Sequence, residues 1–317
     1  MVTSVISKEI FKLERRRFFR KPIIFIAYND GFYFHNPSIS EKENFISEKV
    51  NFENIINIFI AEPYRLSEKS IVILFKNSIG EEWRLDLTKS LLGTDVEKLE
   101  KLLDQEWRPL LSNKETSETI KWFNAAYAIF AVASWRDLGL FGGVVPTEGA
   151  KEEQFSIIAA DWGIESREEA DEVMELLFSG KTNVQYIEEL KKSKEVADPF
   201  RYELCHVIKE KMGDKGVFAW DLVRLIHVAS MCYISGIYTK EEALDLCLQA
   251  AEILQRVYSS FDDMGQSYLL GYSFWSKQDL NGKTNDARER KDIHEMLLKL
   301  KNGPYSLDFH LPLKKDW

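Results

Sequence analysis

Asp221, Arg224 and His227 put a carboxylate, a guanidinium and an imidazole on one segment at spacing i, i+3, i+6. On a helix these positions fall within about 120° of the circumference, so all three can face one cleft. A guanidinium there could hold an anion while the carboxylate and imidazole move a proton. The ordinary structural account is equally physical: Asp221 near a helix start is favoured by the dipole and pairs with Arg224, and His227 is a partly buried helix residue.

Two further groups have binding chemistry. Tyr268, Tyr272 and Trp275 form an aromatic stripe at i, i+4, i+7, with Gly271 and Phe274 between them. Such a stripe stacks a flat ligand, grips a partner helix or packs a core, with Gly271 admitting a neighbouring helix at close range. Trp162 and Trp220 would wall a cleft beside Asp221. Near the N-terminus Lys12, Arg15, Arg16, Arg17, Arg20 and Lys21 interleave with Phe18 and Phe19. That cluster suits docking to a phospholipid surface, an RNA or an acidic protein, or it is a solvated helix end leading into the first strand.

The elements that position these residues change period along the chain. Ile23–Ile26, Phe32–Phe34, Ile55–Ile60, Ile71–Phe75 and Trp83–Leu87 are short β-branched or aromatic runs, with turn signals at Asn29-Asp30-Gly31 and Asn77-Ser78-Ile79-Gly80. From Thr94 to Leu111 the apolar residues Val96, Leu99, Leu102, Leu103, Trp107 and Leu110 mark one helical face. Beyond Ser117 helical periodicity dominates: 120–138, 167–178, 198–211, 219–234, 240–258, 265–275 and 287–300 are expected helices. Residues 276–284 and 305–317 are expected as loop and tail.

One pattern is written twice. Gly163-Ile164-Glu165-Ser166-Arg167-Glu168-Glu169-Ala170 recurs as Gly236-Ile237-Tyr238-Thr239-Lys240-Glu241-Glu242-Ala243. Gly past a helix end takes the left-handed conformation, and the S/T-x-x-E spacing starts the next helix with reciprocal caps. Both copies are expected to be helix corners whose acids cap rather than catalyse.

The net charge of −9 argues against general affinity for nucleic acid or anionic membrane. Cys205, Cys232 and Cys247 lack C-x-x-C spacing, which suggests neither a disulfide framework nor a zinc ribbon and fits a reducing cytoplasm. Lys8 and Glu9 stand where an export signal would need apolar residues, and the longest apolar stretch, Ala125–Trp135, is about half of a membrane span. Gly180-Lys181-Thr182 and Gly282-Lys283-Thr284 lack the earlier glycine of a phosphate loop. His35, His206, His227, His294 and His310 show no H-E-x-x-H spacing, and no G-x-S-x-G elbow occurs, so neither a metal nor another cofactor is expected.

Trp162-Gly163-Ile164, Ala219-Trp220-Asp221-Leu222 with Arg224, Ile234-Ser235-Gly236 with Glu241-Glu242-Ala243, Tyr258-Ser259-Ser260, Ser267-Tyr268-Leu269-Leu270-Gly271 and Phe274-Trp275 form an ordered set over about residues 160–276. By that set the C-terminal half resembles a bacterial family known only as domain of unknown function 1266. Phe261 stands where that family would have Trp. The likeness implies an intracellular all-α domain and transfers no catalytic residue. The meander of strands followed by one amphipathic helix, with Val50-Asn51-Phe52-Glu53-Asn54-Ile55-Ile56-Asn57-Ile58, is similar to bacterial pleckstrin-homology-like domains.

The expected architecture is therefore a two-domain α+β protein. A basic helical segment (1–17) leads into a small pleckstrin-homology-like β-barrel or sheet with a closing helix (18–112); a short polar linker near Ser112–Ser117 joins it to an all-α domain (117–317). The expected function is non-enzymatic binding of a protein partner in the cytoplasm, and such acidic binders fit a bacterial toxin-immunity or conflict setting by class. Peripheral membrane contact would run through Arg15, Arg16 and Arg17. The alternative is an enzyme acting on an anionic small molecule in a cleft lined by Asp221, Arg224 and His227.

Overall fold

A computed structural model describes residues 8–17, 20–35, 49–61, 70–88, 95–107, 115–144, 146, 148–195 and 198–317. The chain divides into two compact units, Met1–Lys114 with Val144–Ala150, and Glu115–Gly143 with Lys151–Trp317. The architecture is α+β, with antiparallel sheets in the first unit and helices in the second.

The described residues of the first unit form two sheets. Strands β1 (Glu9–Arg17), β2 (Arg20–Tyr28), β3 (Gly31–His35) and β4 (Lys49–Asn51) pair in sequence order; β5 (Ile55–Ala61), β6 (Ser70–Lys76) and β7 (Glu82–Thr88) form the other sheet. Among the described residues no ladder closes the two sheets into a barrel. Alternation sets the inner faces: Phe25, Phe32 and Phe34 from the first sheet and Ile71, Ile73, Phe75, Leu85 and Leu87 from the second are buried in one cluster. Phe32 meets Phe75 edge-on at 5.1 Å. Full burial of such a side chain is worth roughly 1.5–3 kcal/mol.

Helix α1 (Asp95–Leu102) runs on into a π-helical turn, Leu103–Trp107. Leu99, Leu103 and Trp107 enter the same core, and Trp107 donates its indole N–H to the Tyr28 carbonyl at 2.7 Å. The expected turns are present: Gly31 pairs with Tyr28 across the first, and Asn77 Oδ1 accepts from the amides of Ile79 and Glu81 at 3.1 and 2.8 Å in the second.

The N-terminal segment departs from expectation. Instead of a basic helix it forms strand β1, paired with β2 through Lys12 with Ile26 and Arg15 with Ile23. Its near end alternates, Phe11 buried and Leu13 half-buried between exposed Lys12 and Glu14, and a period of two suits a strand. The run of adjacent charges after it masks that alternation in the sequence. Phe18, Phe19 and most of the expected linker, from Ser112 to Lys114, lie outside the described residues; Ser117 caps a helix.

The second unit is helical: α2 (Glu118–Ala126), α3 (Ala128–Ala133), α4 (Glu148–Trp162) from Lys151 on, α5 (Arg167–Phe178), α6 (Lys181–Leu190), α7 (Pro199–Met212), α8 (Phe218–Ser235), α9 (Lys240–Val257), α10 (Phe261–Ser276) and α11 (Asp286–Lys299). Helix α8 is apolar almost all round and buried, packing against α5, α6, α9 and α10. Among the described residues no single helix is long and apolar enough to cross a membrane.

Two sequence expectations change here, and the expected tail proves to be packed. The helix over 120–138 breaks at Tyr127, and the following turn is held by Asn124 and Tyr127, whose hydroxyl donates to Asn124 Oδ1 at 2.9 Å and accepts from the Gly142 amide at 3.1 Å. Helices α4 and α6 form where none was expected. The tail has no helix beyond a single turn, yet it is packed: Trp122 donates to the Phe309 carbonyl at 2.8 Å, and the indole of Trp317 donates to Asp245 at 3.1 Å.

The twin corners form as helix junctions. Gly163 and Gly236 have φ of 66° and 85°, a conformation glycine adopts without a Cβ penalty. Thr239 and Glu242 make a full capping box, whereas Glu169 answers Ser166 but takes the Glu165 amide at 2.8 Å. The copies also tuck different residues: Ile164 is buried after Gly163, while after Gly236 the buried residue is Tyr238.

Candidate functional site

Asp221, Arg224 and His227 all lie on α8, but their side chains do different things. Asp221 is 1% exposed. Its Oδ2 accepts from the amides of Thr182 and Asn183 at 3.0 and 3.2 Å, and its Oδ1 accepts from the Thr182 hydroxyl at 2.7 Å. These groups open α6, whose own N-cap is Gly180 with no side chain to offer. Asp221 is thus an N-cap supplied from another helix, placing a negative charge at the positive end of α6. Burial raises its pKa, while Thr182, Asn183 and Arg224 pull it back.

Arg224 approaches Asp221 only to 4.0 Å. Its guanidinium instead lies between two indoles, 4.5 Å from Trp162 and 4.6 Å from Trp220, at distances where the cation attracts the ring faces. Trp162 ends α4, just before the corner at Gly163, and Trp220 sits in the first turn of α8.

His227 points elsewhere. It packs 3.7 Å from the Phe130 ring and 5.9 Å from Tyr127, with its Nε2 buried and without a hydrogen-bond partner. Burial, with the Arg136 and Arg224 charges, lowers its pKa well below 6.5, so the ring is neutral in the folded protein near pH 7. The spacing that could have assembled a proton-transfer trio therefore distributes a cap, a stacked cation and a core histidine.

The aromatic stripe joins Arg224 rather than His227. Trp220 lies 5.2 Å from Tyr268, 5.5 Å from Tyr272 and 5.8 Å from Trp275. Gly271 makes this possible, since a Cβ there would overlap the Trp220 Cβ. Tyr268 and Tyr272 are buried, whereas Trp275 is 55% exposed. Arg290 of α11 completes the group, 4.2 Å over Tyr272. It sits fifteen positions after Trp275 beyond a polar loop, and no local spacing links them.

Arg15, Arg16 and Arg17 lie in β1, in the other unit, and their side chains are outside the described residues. The three cysteines are buried and free, and burial raises the pKa of each. Among the described residues no three His, Cys, Asp or Glu side chains cluster as metal ligands. An open cavity of about 580 Å³ lies between the start of α2 and the tail, lined by Glu118, Thr119, Leu307, Pro312 and Lys314 among others, and touches none of the expected site residues.

Fold and cluster together define a two-unit α+β protein whose helical unit presents an aromatic and guanidinium face. Residues 158–309 match the family described as a protein of unknown function, DUF1266. This supports the likeness of the C-terminal half, and no family match supports the pleckstrin-homology likeness of the N-terminal unit. No curated protein and no solved structure matches the chain. The family position of Phe261 is filled by an aromatic that stacks on Tyr305 at 5.1 Å and meets Phe309 edge-on at 5.0 Å.

Proposed function

We propose that this is a non-catalytic binding protein of the bacterial cytoplasm whose helical unit engages a protein partner through the face around Trp275. The observation that carries this reading is Trp275 itself: a half-exposed indole tilted against Trp220 at 5.8 Å, on the same ring cluster that holds Arg224 between two indoles. Trp, Tyr and Arg are the side chains that dominate interface energetics, and the exposed indole lies 5.9 Å from Tyr272 with Arg290 over that same ring. The disposition of Asp221 and His227 favours binding over the enzymatic alternative. Asp221 accepts three buried hydrogen bonds at the start of α6 and His227 is packed against aromatic rings, so these two do not face a substrate as an acid–base pair.

The N-terminal unit is read as a pleckstrin-homology-like binding scaffold. Four plus three antiparallel strands followed by a helix whose Trp107 fills the core support that reading. A toxin-immunity or conflict role is consistent with an acidic two-unit binder and is proposed by class alone.

Affinity purification from the native host, with mass spectrometry, tests the reading by comparing the wild type with Trp275→Ala. The expected result is a stoichiometric protein partner recovered with the wild type and lost with the variant, both proteins melting at closely similar temperatures. Equal recovery with both, or no partner with either, overturns it.

A further inference from the structure

Around Trp220 the helical unit gathers two guanidiniums without a tight carboxylate partner among the described residues. Arg224 has Asp221 at 4.0 Å, but both oxygens of that carboxylate are engaged at the start of α6. Arg290, over the Tyr272 ring, donates to the Asp286 backbone carbonyl at 3.3 Å. Asp286 itself reaches the cluster through the Tyr272 hydroxyl at 3.5 Å, a marginal bond.

Two donors in the same cluster are buried with no acceptor: Trp220 Nε1 and Arg290 Nε. A buried donor left unpaired costs roughly 1–3 kcal/mol, so a site of this kind is poised to take an acceptor. The two cations sit on neighbouring rings of one cluster, Arg224 4.6 Å over Trp220 and Arg290 4.2 Å over Tyr272, with those rings 5.5 Å apart; burial raises the Tyr268 phenol while both charges pull it down. The walls are flat and apolar, and one of them, Trp275, opens to solvent. In a chain of net charge −9 this is a local cationic, donor-rich, aromatic surface.

We infer that the cluster is a carboxylate-recognition site: it takes an acidic side chain of the partner protein next to an aromatic or apolar residue, the carboxylate between Arg224 and Arg290 and the flat neighbour on the exposed Trp275. A carboxylate is planar and matches the edge of a guanidinium whose faces are already covered by rings. That the carboxylate comes from a protein rests on the binding reading above; the chemistry of the site does not.

The test is titration with N-acetyl-phenylalanine, its neutral amide and phenyl phosphate, following tryptophan emission in the wild type, Arg290→Gln and Arg224→Lys. The free acid is expected to shift the emission saturably and the amide not to. Arg290→Gln, on a helix face where the native thermal midpoint should be kept, is expected to weaken the acid by about tenfold or more. Arg224→Lys keeps the charge but loses the planar stack, and should weaken it as well.

Equal binding of acid and amide, unchanged affinity in Arg290→Gln, or a response to phenyl phosphate alone overturns the carboxylate assignment. The two readings fail separately. If the acid binds as expected while Trp275→Ala still captures the partner, the site stands and the protein-binding reading falls. If capture needs Trp275 but the acid does not bind, the reverse holds.

Discussion

Arg167 Nη2 lies 2.8 Å from Glu242 Oε1, so the base of the first Gly-Ile-x-hydroxyl-base-Glu-Glu-Ala segment is paired with the second glutamate of the other copy. Tyr238 strengthens the join by donating to Asp171 Oδ1 at 2.7 Å, with the Arg167 guanidinium 5.4 Å over its ring. The repeated segment therefore does more than turn the chain twice: its two corners clasp each other where α5 and α9 begin.

This clasp titrates. The Arg167 hydrogen bond, followed by those from the Thr239 amide and hydroxyl, holds Glu242 from 4.5 down to about 2. Because the folded value is depressed, its stabilisation is present above about pH 4.5 and is lost as pH falls toward 2. Denaturation midpoints of the wild type and Glu242→Gln should differ at pH 6 and draw together as pH falls to about 2 and below. Thr239→Ala should cost roughly 1 kcal/mol through the cap at pH 6, and less near pH 2, where its hydroxyl no longer meets an ionised Glu242.

Removing the borrowed cap should cost more. Asp221→Ala strands two amides and a hydroxyl at the start of α6 and leaves Arg224 without its nearest carboxylate, a loss of about 2–4 kcal/mol in urea denaturation. Hydrogen exchange at the Thr182 and Asn183 amides should accelerate. Unchanged stability and exchange would show that the carboxylate is not holding α6.

Gly271→Ala should disturb the aromatic cluster from within. The added methyl meets Trp220 Cβ on the packed side of α10, and overpacking of this kind typically costs about 1–3 kcal/mol. Near-ultraviolet circular dichroism, which reports indole packing, should change along with the denaturation midpoint.

His227 gives an opposite kind of acid sensitivity to a surface histidine. Burial first, then the Arg136 and Arg224 charges, lowers its folded pKa, so the unfolded chain binds the extra proton. Stability is full above about 6.5 and declines as pH drops below it. His294, lowered by burial despite its 3.0 Å bond to Asp262, acts in the same direction. The fall in thermal midpoint between pH 7 and pH 5 should be smaller in His227→Gln than in the wild type, and smaller again when His294→Gln is added.

What the sequence determined by itself was local. Alternation in 23–26, 32–34 and 71–75, the turn residues at 29–31 and 77–80, the helical period after Ser117 and both Gly-to-hydroxyl corners are encoded within a few residues of where they act, and so were legible. Where local signals conflicted or were missing, the tertiary structure decided. Strand β1 hid its alternation beside adjacent charges, and the break at Tyr127 depends on a hydroxyl bond to Gly142 in the following loop. Helix α6 begins at Gly-Lys-Thr, with no capping side chain in its own sequence, because its cap arrives from Asp221, 39 residues on from Thr182. The same contact settled the candidate site. Helical spacing could place Asp221, Arg224 and His227 on one flank of α8, but only the neighbours packed against that flank fixed their roles: α6 took the carboxylate, two indoles took the guanidinium and Phe130 took the imidazole.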